Sequence, residues 1–289
     1  MAKTHSPEPV PHRKAPSSLN LRTVRRSAAA TGLGLQYVMK EARVFDLWSK
    51  LSPIILSSRL ARHVRIVSKG GTALNKIFLG ESQRFSEDLD FDAFFKRDLD
   101  RSQKIIFLQE NVMSSVRAGY AVDQPRVMRE VVRFTCAFKN EMGQGDSLSV
   151  EFNIETPFVG EVVKAKAASS ILPLRPIPIP VYSFHTLVAK KFKAFYERES
   201  GKDLYDIYRS FEKCGPSDMR KILSILKNVL EAEGIAQHDF TTGIGRALSD
   251  SNRLWKVHGS TNPYIPRPLR IDWGRAGQEI CDRILPMLP

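Results

Sequence analysis

Cysteine is scarce in this chain. Its three copies, Cys136, Cys214 and Cys281, are odd in number, far apart and never in a Cys-x-x-Cys pair. That excludes a disulfide framework and a zinc ribbon, and fits a reducing compartment. The six histidines are scattered and make no His-Glu-x-x-His pattern. No apolar run approaches the roughly 18 residues of a membrane span. The first thirty residues lack the apolar core of a secretory signal, so the cytoplasm is the expected location. Acidic residues are also in deficit, at 31 against 44 Lys plus Arg, which leaves a formal net charge of +13. An anionic partner is expected, whether nucleic acid, nucleotide or acidic lipid.

What is present suffices for a folded protein. The 289 residues are 42% hydrophobic and 9% aromatic, enough chain and apolar content to bury a core in one large domain or two modest ones. Residues 1–26 hold four prolines, six basic residues and one acid, Glu8, and read as a flexible basic arm. Between residues 35 and 60, Val38, Ala42, Phe45, Trp48 and Leu51 fall at helical spacing, with Pro53 expected to divide two helices. Alternation predicts strands over residues 63–68, 89–95, 131–138 and 148–154. Helical patterns cover 103–117, 184–199, 203–212 and 217–233. The proline-rich stretch 172–180 reads as a linker. The plan is therefore an α/β part over residues 27–170 and a mostly helical part over 171–289, with a ligand cleft between them.

Four blocks carry chemistry. Lys69-Gly70-Gly71-Thr72 joins a predicted strand to a predicted helix, so its glycines permit a tight turn and close approach of a ligand to the backbone. A plain helix-entry turn capped by Thr72 explains this block equally well in isolation. Next, Arg84-Phe85-Ser86-Glu87-Asp88-Leu89-Asp90-Phe91-Asp92 places three carboxylates on one face of a strand and apolar residues on the other. Like charges so arranged call for compensation, and oxygen-only ligands suit Mg²⁺ or Mn²⁺. Glu151, on the strand 148–154, is a candidate third oxygen ligand or a surface glutamate. Finally, Lys191 and Arg198 stand two helical turns apart on one face, ready for the phosphates of a nucleoside triphosphate, and Asp203 and Asp206 follow at i, i+3, Asp203 as a candidate cap.

In this order and spacing the blocks resemble the AbiEii/AbiGii-type nucleotidyltransferase toxins, which include the MenT toxins, within the DNA polymerase-β-like superfamily. The resemblance covers about residues 35–211. It implies an α+β fold, with a polymerase-β-like nucleotidyltransferase domain built on a mixed sheet and a mostly helical domain after it. It also implies roles. Gly70, Gly71 and Thr72, with Lys69 beside them, would hold the triphosphate, and Asp88 and Asp90 would bind catalytic Mg²⁺. Lys191 would contact the triphosphate, and Asp203 would complete the motif set. Arg84 and Ser86 would shape the pocket floor. The wider superfamily usually has Gly-Ser where this chain has Gly-Gly-Thr, a form the AbiEii branch often shows. The implied activity is transfer of a nucleoside monophosphate from an NTP to an RNA acceptor, the tRNA 3′ end, arresting translation, with an antitoxin as cognate partner. Two rivals stay open: transfer to a small-molecule or protein hydroxyl, and a non-catalytic basic RNA-binding protein. The charge surplus favours RNA over a cationic small-molecule acceptor and leaves a membrane surface unneeded.

Overall fold

The computed structural model describes residues 20–287. Eight strands form one mixed sheet: β1 (Val64–Lys69), β2 (Leu89–Phe95), β3 (Ala121–Val122), β4 (Arg126–Met128), β5 (Val131–Lys139), β6 (Gly145–Asn153), β7 (Val162–Ala167) and β8 (Ile177–Tyr182). Their order is β3-β5-β6-β2-β1-β8-β7, with β4 also pairing β5. At the centre, β2 runs antiparallel to β1 and parallel to β6.

The helices are α1 (Leu21–Thr31), α2 (Leu35–Ile55), α3 (Ser58–Ala61), α4 (Gly70–Leu74), α5 (Arg101–Asn111), α6 (Phe184–Arg198), α7 (Gly201–Phe211), α8 (Pro216–Ala232), α9 (Gln237–Ser249), α10 (Ser251–His258) and α11 (Trp273–Ile284). Among the described residues no helix is long and apolar enough to cross a membrane.

Period-2 alternation makes the central strands. On β2, Leu89, Phe91 and Ala93 are buried, and the Phe91 ring stacks on Phe152 of β6 with centroids 5.2 Å apart. The buried residues of α2, Phe45, Trp48 and Leu51 among them, join the same core, which runs on without a break to Trp273 and Ile280 of α11. A smaller cluster of Val24, Val38, Met39 and Phe85 seats α1 and α2 against the segment leading into β2. Phe85 thereby anchors the chain on either side of itself, at Arg84 and Ser86.

Several sequence expectations need correction. The expected arm lies outside the described residues up to position 19, and from Leu21 onward the chain is helical, with Asn20 accepting the Arg22 N–H as its cap. Pro53 does not divide a helix. It sits inside the last turn of α2, and the helix runs past it to Ile55 without the i→i−4 bond that a proline cannot donate. Residues 177–180 of the expected linker belong to β8, inside the sheet, so the sheet continues past residue 170. Ile177, Ile179 and Val181 are buried and alternate with Pro178 and Pro180. The prolines lack an N–H, and pairing with β1 is confined to Ser68 opposite Val181.

Candidate active site

The site is built where β1 runs into α4 without a loop. Gly70 has φ +76°, a conformation that L side chains rarely adopt. A Cβ at Gly70 would come within 2.1 Å of Asp90 Oδ2, and one at Gly71 within 2.6 Å of Arg84 Nη2 and 3.3 Å of Lys191 Nζ. Both glycines are therefore fixed by close approach of charged side chains as well as by the turn. Thr72 is not a cap: its Oγ1 lies 2.8 Å from Ser86 Oγ and donates to the Asp88 carbonyl at 2.5 Å, tying the turn to the entry of β2. Helix α4 has only five residues before the chain widens into a π-turn over Asn75–Leu79. Side chains, more than a helix terminus, make this region positive.

Asp88 and Asp90 differ from the other carboxylates around them. Among the described residues neither has a hydrogen-bond or ion-pair partner for its carboxylate, although Asp88 is open to solvent and Asp90 is half-buried. Each carboxyl is pushed up to about 6. For Asp88, whose outer edge reaches solvent, the causes are desolvation by the protein packed around its carboxyl, then the charges of Asp90 and Glu87; for Asp90 they are burial and Glu151, against the pull of Lys69, Lys191 and Arg198. Asp92, the third in the alternating set, is fully buried and spent on structure. It accepts from the Tyr182 hydroxyl at 2.8 Å and pairs with Lys69, with Lys190 Nζ at 3.7 Å. Glu151 lies in register beside Asp90, yet its carboxylate is taken by Arg133, through Nε at 2.7 Å and Nη2 at 2.6 Å.

Behind the glycine turn lies a buried ionic network. Lys191 Nζ contacts Asp203 Oδ1 at 2.6 Å and Asp206 Oδ2 at 2.9 Å. Arg198 donates to both oxygens of Asp203, at 2.6 and 2.9 Å, so Lys191 and Arg198 do share a face. Arg84 grips Asp206 with two parallel bonds of 2.9 and 2.7 Å. Burial pushes Asp203 up, but Lys191 and Arg198 outweigh it and hold the carboxyl far below the usual range. Burial likewise pulls Lys191 down, and Asp203 and Asp206 more than restore it, so the ammonium stays charged. The cap of α7 is Ser200, whose hydroxyl accepts the Lys202 N–H, and Asp203 faces inward instead.

Three residues that complete the site were not singled out from the sequence, and a fourth, Asp206, was read only as following Asp203 at i, i+3. Asp206 is one centre of the ionic network. Asn75 joins the pieces: its amide donates to the Gly71 carbonyl at 2.9 Å and to Asp206 at 2.8 Å, while its oxygen accepts the Arg84 N–H at 2.9 Å. Its position four residues after Gly71 on a helix was the available signal. Lys190 and Lys202 are the others, both lowered chiefly by burial. Lys202 lies over the Tyr264 ring, 3.8 Å from its centroid.

Between the sheet and α6 opens a cavity of about 270 Å³ lined by Gly70 and Asp90, by the cations Lys69, Lys190, Lys191, Lys193 and Arg198, and by Glu130, Glu197 and Glu233. A divalent ion fits this donor set. Two carboxylates without partners sit on one strand end, and no three His, Cys, Asp or Glu side chains converge among the described residues. Mg²⁺ commonly takes one or two carboxylates and completes its shell with phosphate oxygens and water.

A mixed sheet with a glycine turn and a carboxylate pair at one strand end, opening on a cavity beside α6, is the architecture of a nucleotidyltransferase fold. The family model "Nucleotidyl transferase AbiEii toxin, Type IV TA system" matches residues 56–274, about three quarters of the sequence, and the chain belongs to that family. Among solved structures it is similar to the MenT4 nucleotidyltransferase toxin of Mycobacterium tuberculosis, at 20% identity and a TM-score of 0.50 over 88% of this chain and 76% of that one. A nucleotidyltransferase-like antigenic protein of Paracoccidioides brasiliensis matches at 12% identity and a TM-score of 0.36, over 67% of this chain and 91% of that one, too distant to carry an argument. No curated protein sequence matches the chain.

Proposed function

We infer that the protein transfers a nucleoside monophosphate from an NTP to the 3′ end of an RNA, with tRNA as the acceptor, and so arrests translation. The observation that carries this reading is the pair Asp88 and Asp90. They are without ionic partners in a chain of net charge +13, while Asp92, Glu151, Asp203 and Asp206 around them are each paired with lysine or arginine. Such a pair suits a divalent ion and an incoming polyphosphate, and it repels an anionic ligand that arrives without metal. A passive RNA-binding protein has no use for it.

Asp88 and Asp90 would hold Mg²⁺ or Mn²⁺, with Glu151 available beside Asp90 if Arg133 releases it. When bound, the ion supplies Lewis-acid polarisation of the phosphate and lowers the pKa of an adjacent hydroxyl. The chain's own residues do the rest. Gly70 and Gly71 let the triphosphate lie against the backbone, held in place with Thr72 and Lys69. Lys190 and Arg198 face the same cavity and neutralise the polyphosphate, including the pyrophosphate that leaves. Lys191 has three N–H donors, two of them engaged by Asp203 and Asp206, which leaves one for a phosphate oxygen. Arg84 and Ser86 form the floor, and Asp203 fixes both cations. The acceptor hydroxyl oxygen bonds to the α-phosphorus as the bond to the bridging oxygen breaks; pyrophosphate departs and the hydroxyl proton passes to solvent. Rate enhancement by this route is mostly positioning and charge neutralisation.

The family places such toxins in Type IV toxin–antitoxin systems, so a cognate antitoxin is the expected partner, and the cytoplasm, where NTP and tRNA meet, the expected compartment. Incubation with each labelled NTP, Mg²⁺ and total RNA tests the reading. Label in a tRNA-sized band supports it, and label confined to protein or to small molecules overturns it in favour of a different acceptor.

A further inference from the structure

The register of the sheet lines up charges across five strands. Lys69 of β1 lies opposite Asp90 of β2, Asp90 opposite Glu151 of β6, Glu151 opposite Arg133 of β5, and Arg133 opposite Arg126 of β4. Residues paired in register point to the same face of a sheet. The row therefore leads from the catalytic carboxylates outward along one surface, from acid to base. At strand spacings of about 4.8 Å, Arg133 lies roughly 10 Å and Arg126 roughly 14 Å from β2.

Three features of this row point to an anionic strand. Arg126 and Arg133 are like charges directly opposite each other, an arrangement that costs free energy unless an anion sits between them. Glu151 compensates Arg133, but Arg126 is exposed and makes no ion pair among the described residues. The floor beside the row is small and hydroxylic: Thr135 of β5 and Ser149 of β6 stand in register, half-exposed on the same face, where large apolar side chains would have filled the space. Hydroxyls and arginines spaced by one strand suit phosphates and ribose hydroxyls of a single strand, and the exposed Met128, two residues from Arg126 on the same strand, offers an apolar surface for a base.

We propose that the β6–β5–β4 face is the landing track of the acceptor RNA. Its single-stranded 3′ end crosses the strands, with the terminal hydroxyl at Asp88 and Asp90 and upstream phosphates on Arg133 and Arg126. The proposal rests on the nucleotidyl-transfer reading above and adds where the acceptor lies. The NTP occupies the lysine-walled cavity under α6, and the two substrates meet only at the carboxylate pair. Arg133 then has two partners to choose from, and an arriving phosphate draws it from Glu151.

The test is direct binding of a fluorescent single-stranded RNA ending in CCA to the full chain, by anisotropy over a salt series, with label transfer to the same RNA measured in parallel. Arg126→Glu should weaken binding by roughly three- to tenfold and lower the slope of log affinity against log salt by about 0.7, one phosphate contact. Arg126→Lys should keep the slope, which a merely structural role for the arginine would not predict. NTP binding, followed separately with a fluorescent nucleotide, should stay near wild type and certifies the fold of each variant. Wild-type affinity and slope in Arg126→Glu, with transfer to RNA intact in the wild type, overturn the track alone. Absence of both RNA binding and RNA labelling in the wild type overturns the track together with the RNA-acceptor reading.

Discussion

Replacing Asp90 with Asn should make the metal-free protein more stable while abolishing its activity. In the fold, burial and Glu151 push the Asp90 carboxyl from 3.8 up to about 6. The sign follows from linkage. A carboxyl whose pKa rises on folding binds more protons in the native state between pH 4 and 6, so stability falls as pH climbs through that window. Above pH 6 the full charge penalty applies, and a shift of this size corresponds to at most about 3 kcal/mol. Lys69, Lys191 and Arg198 lose a favourable neighbour in the variant, and relief of Asp88 works the other way. A net gain of about 1–2 kcal/mol at neutral pH is expected, or roughly 2–3 °C in Tm for a chain of this size. Thermal unfolding in a chelator at pH 7 measures it. Wild-type Tm should rise as pH is lowered from 7 toward 5, with a flatter profile in the variant. Mg²⁺ should then raise the Tm of the wild type but not of Asp90→Asn, since binding to the native state alone stabilises it. A variant that melts below wild type at pH 7 in chelator, or that retains nucleotidyl transfer, refutes the reasoning.

Other perturbations follow from the same geometry. Asp206→Ala removes the carboxylate shared by Arg84, Lys191 and Asn75 and should cost about 3–5 kcal/mol in denaturant unfolding, because buried cations lose their partner. Gly71→Ala drives a Cβ to 2.6 Å from Arg84 Nη2; a stability loss of about 1–3 kcal/mol with a larger loss of transfer activity is expected. Glu41 and Lys76 form a fully buried pair 2.8 Å apart beneath the π-turn. Glu41→Ala should destabilise by about 3–5 kcal/mol, and Glu41→Leu combined with Lys76→Met should recover most of that in the same unfolding assay.

Much of this architecture was legible in the residues themselves. β2 runs over Leu89–Phe95 as the alternation required, and β5 and β6 fall within a few residues of expectation, since each buries one face. β8 was missed because its prolines suggest a linker, whereas the buried Ile177, Ile179 and Val181 between them have period 2. The short strands β3 and β4 carry too few residues for any period to show. Within the site, the glycines and the Asp88–Asp90 pair were readable from spacing. Asp92 was not separable from them: its partners Tyr182, Lys69 and Lys190 come from three other elements, and only folding reveals that it is sealed. Asn75 stayed hidden, and Asp206 was legible only by its spacing from Asp203, for the same reason: their partners lie on segments far apart in sequence. The charge surplus gave a sign and no position, and the strand register supplies the position by setting Arg126 and Arg133 in line with Asp90.

The central claim is tested most directly by the position of the phosphate that moves. Incubate the protein with Mg²⁺, RNA and an NTP labelled at either the α- or the γ-phosphorus, with periodate-oxidised RNA as a parallel acceptor. The account predicts label in RNA from the α position only, none from the γ position, none with the oxidised 3′ end, and none with Asp88→Asn or Asp90→Asn. Label arriving from the γ-phosphorus, or appearing equally on RNA whose 3′ hydroxyls have been destroyed, would contradict it.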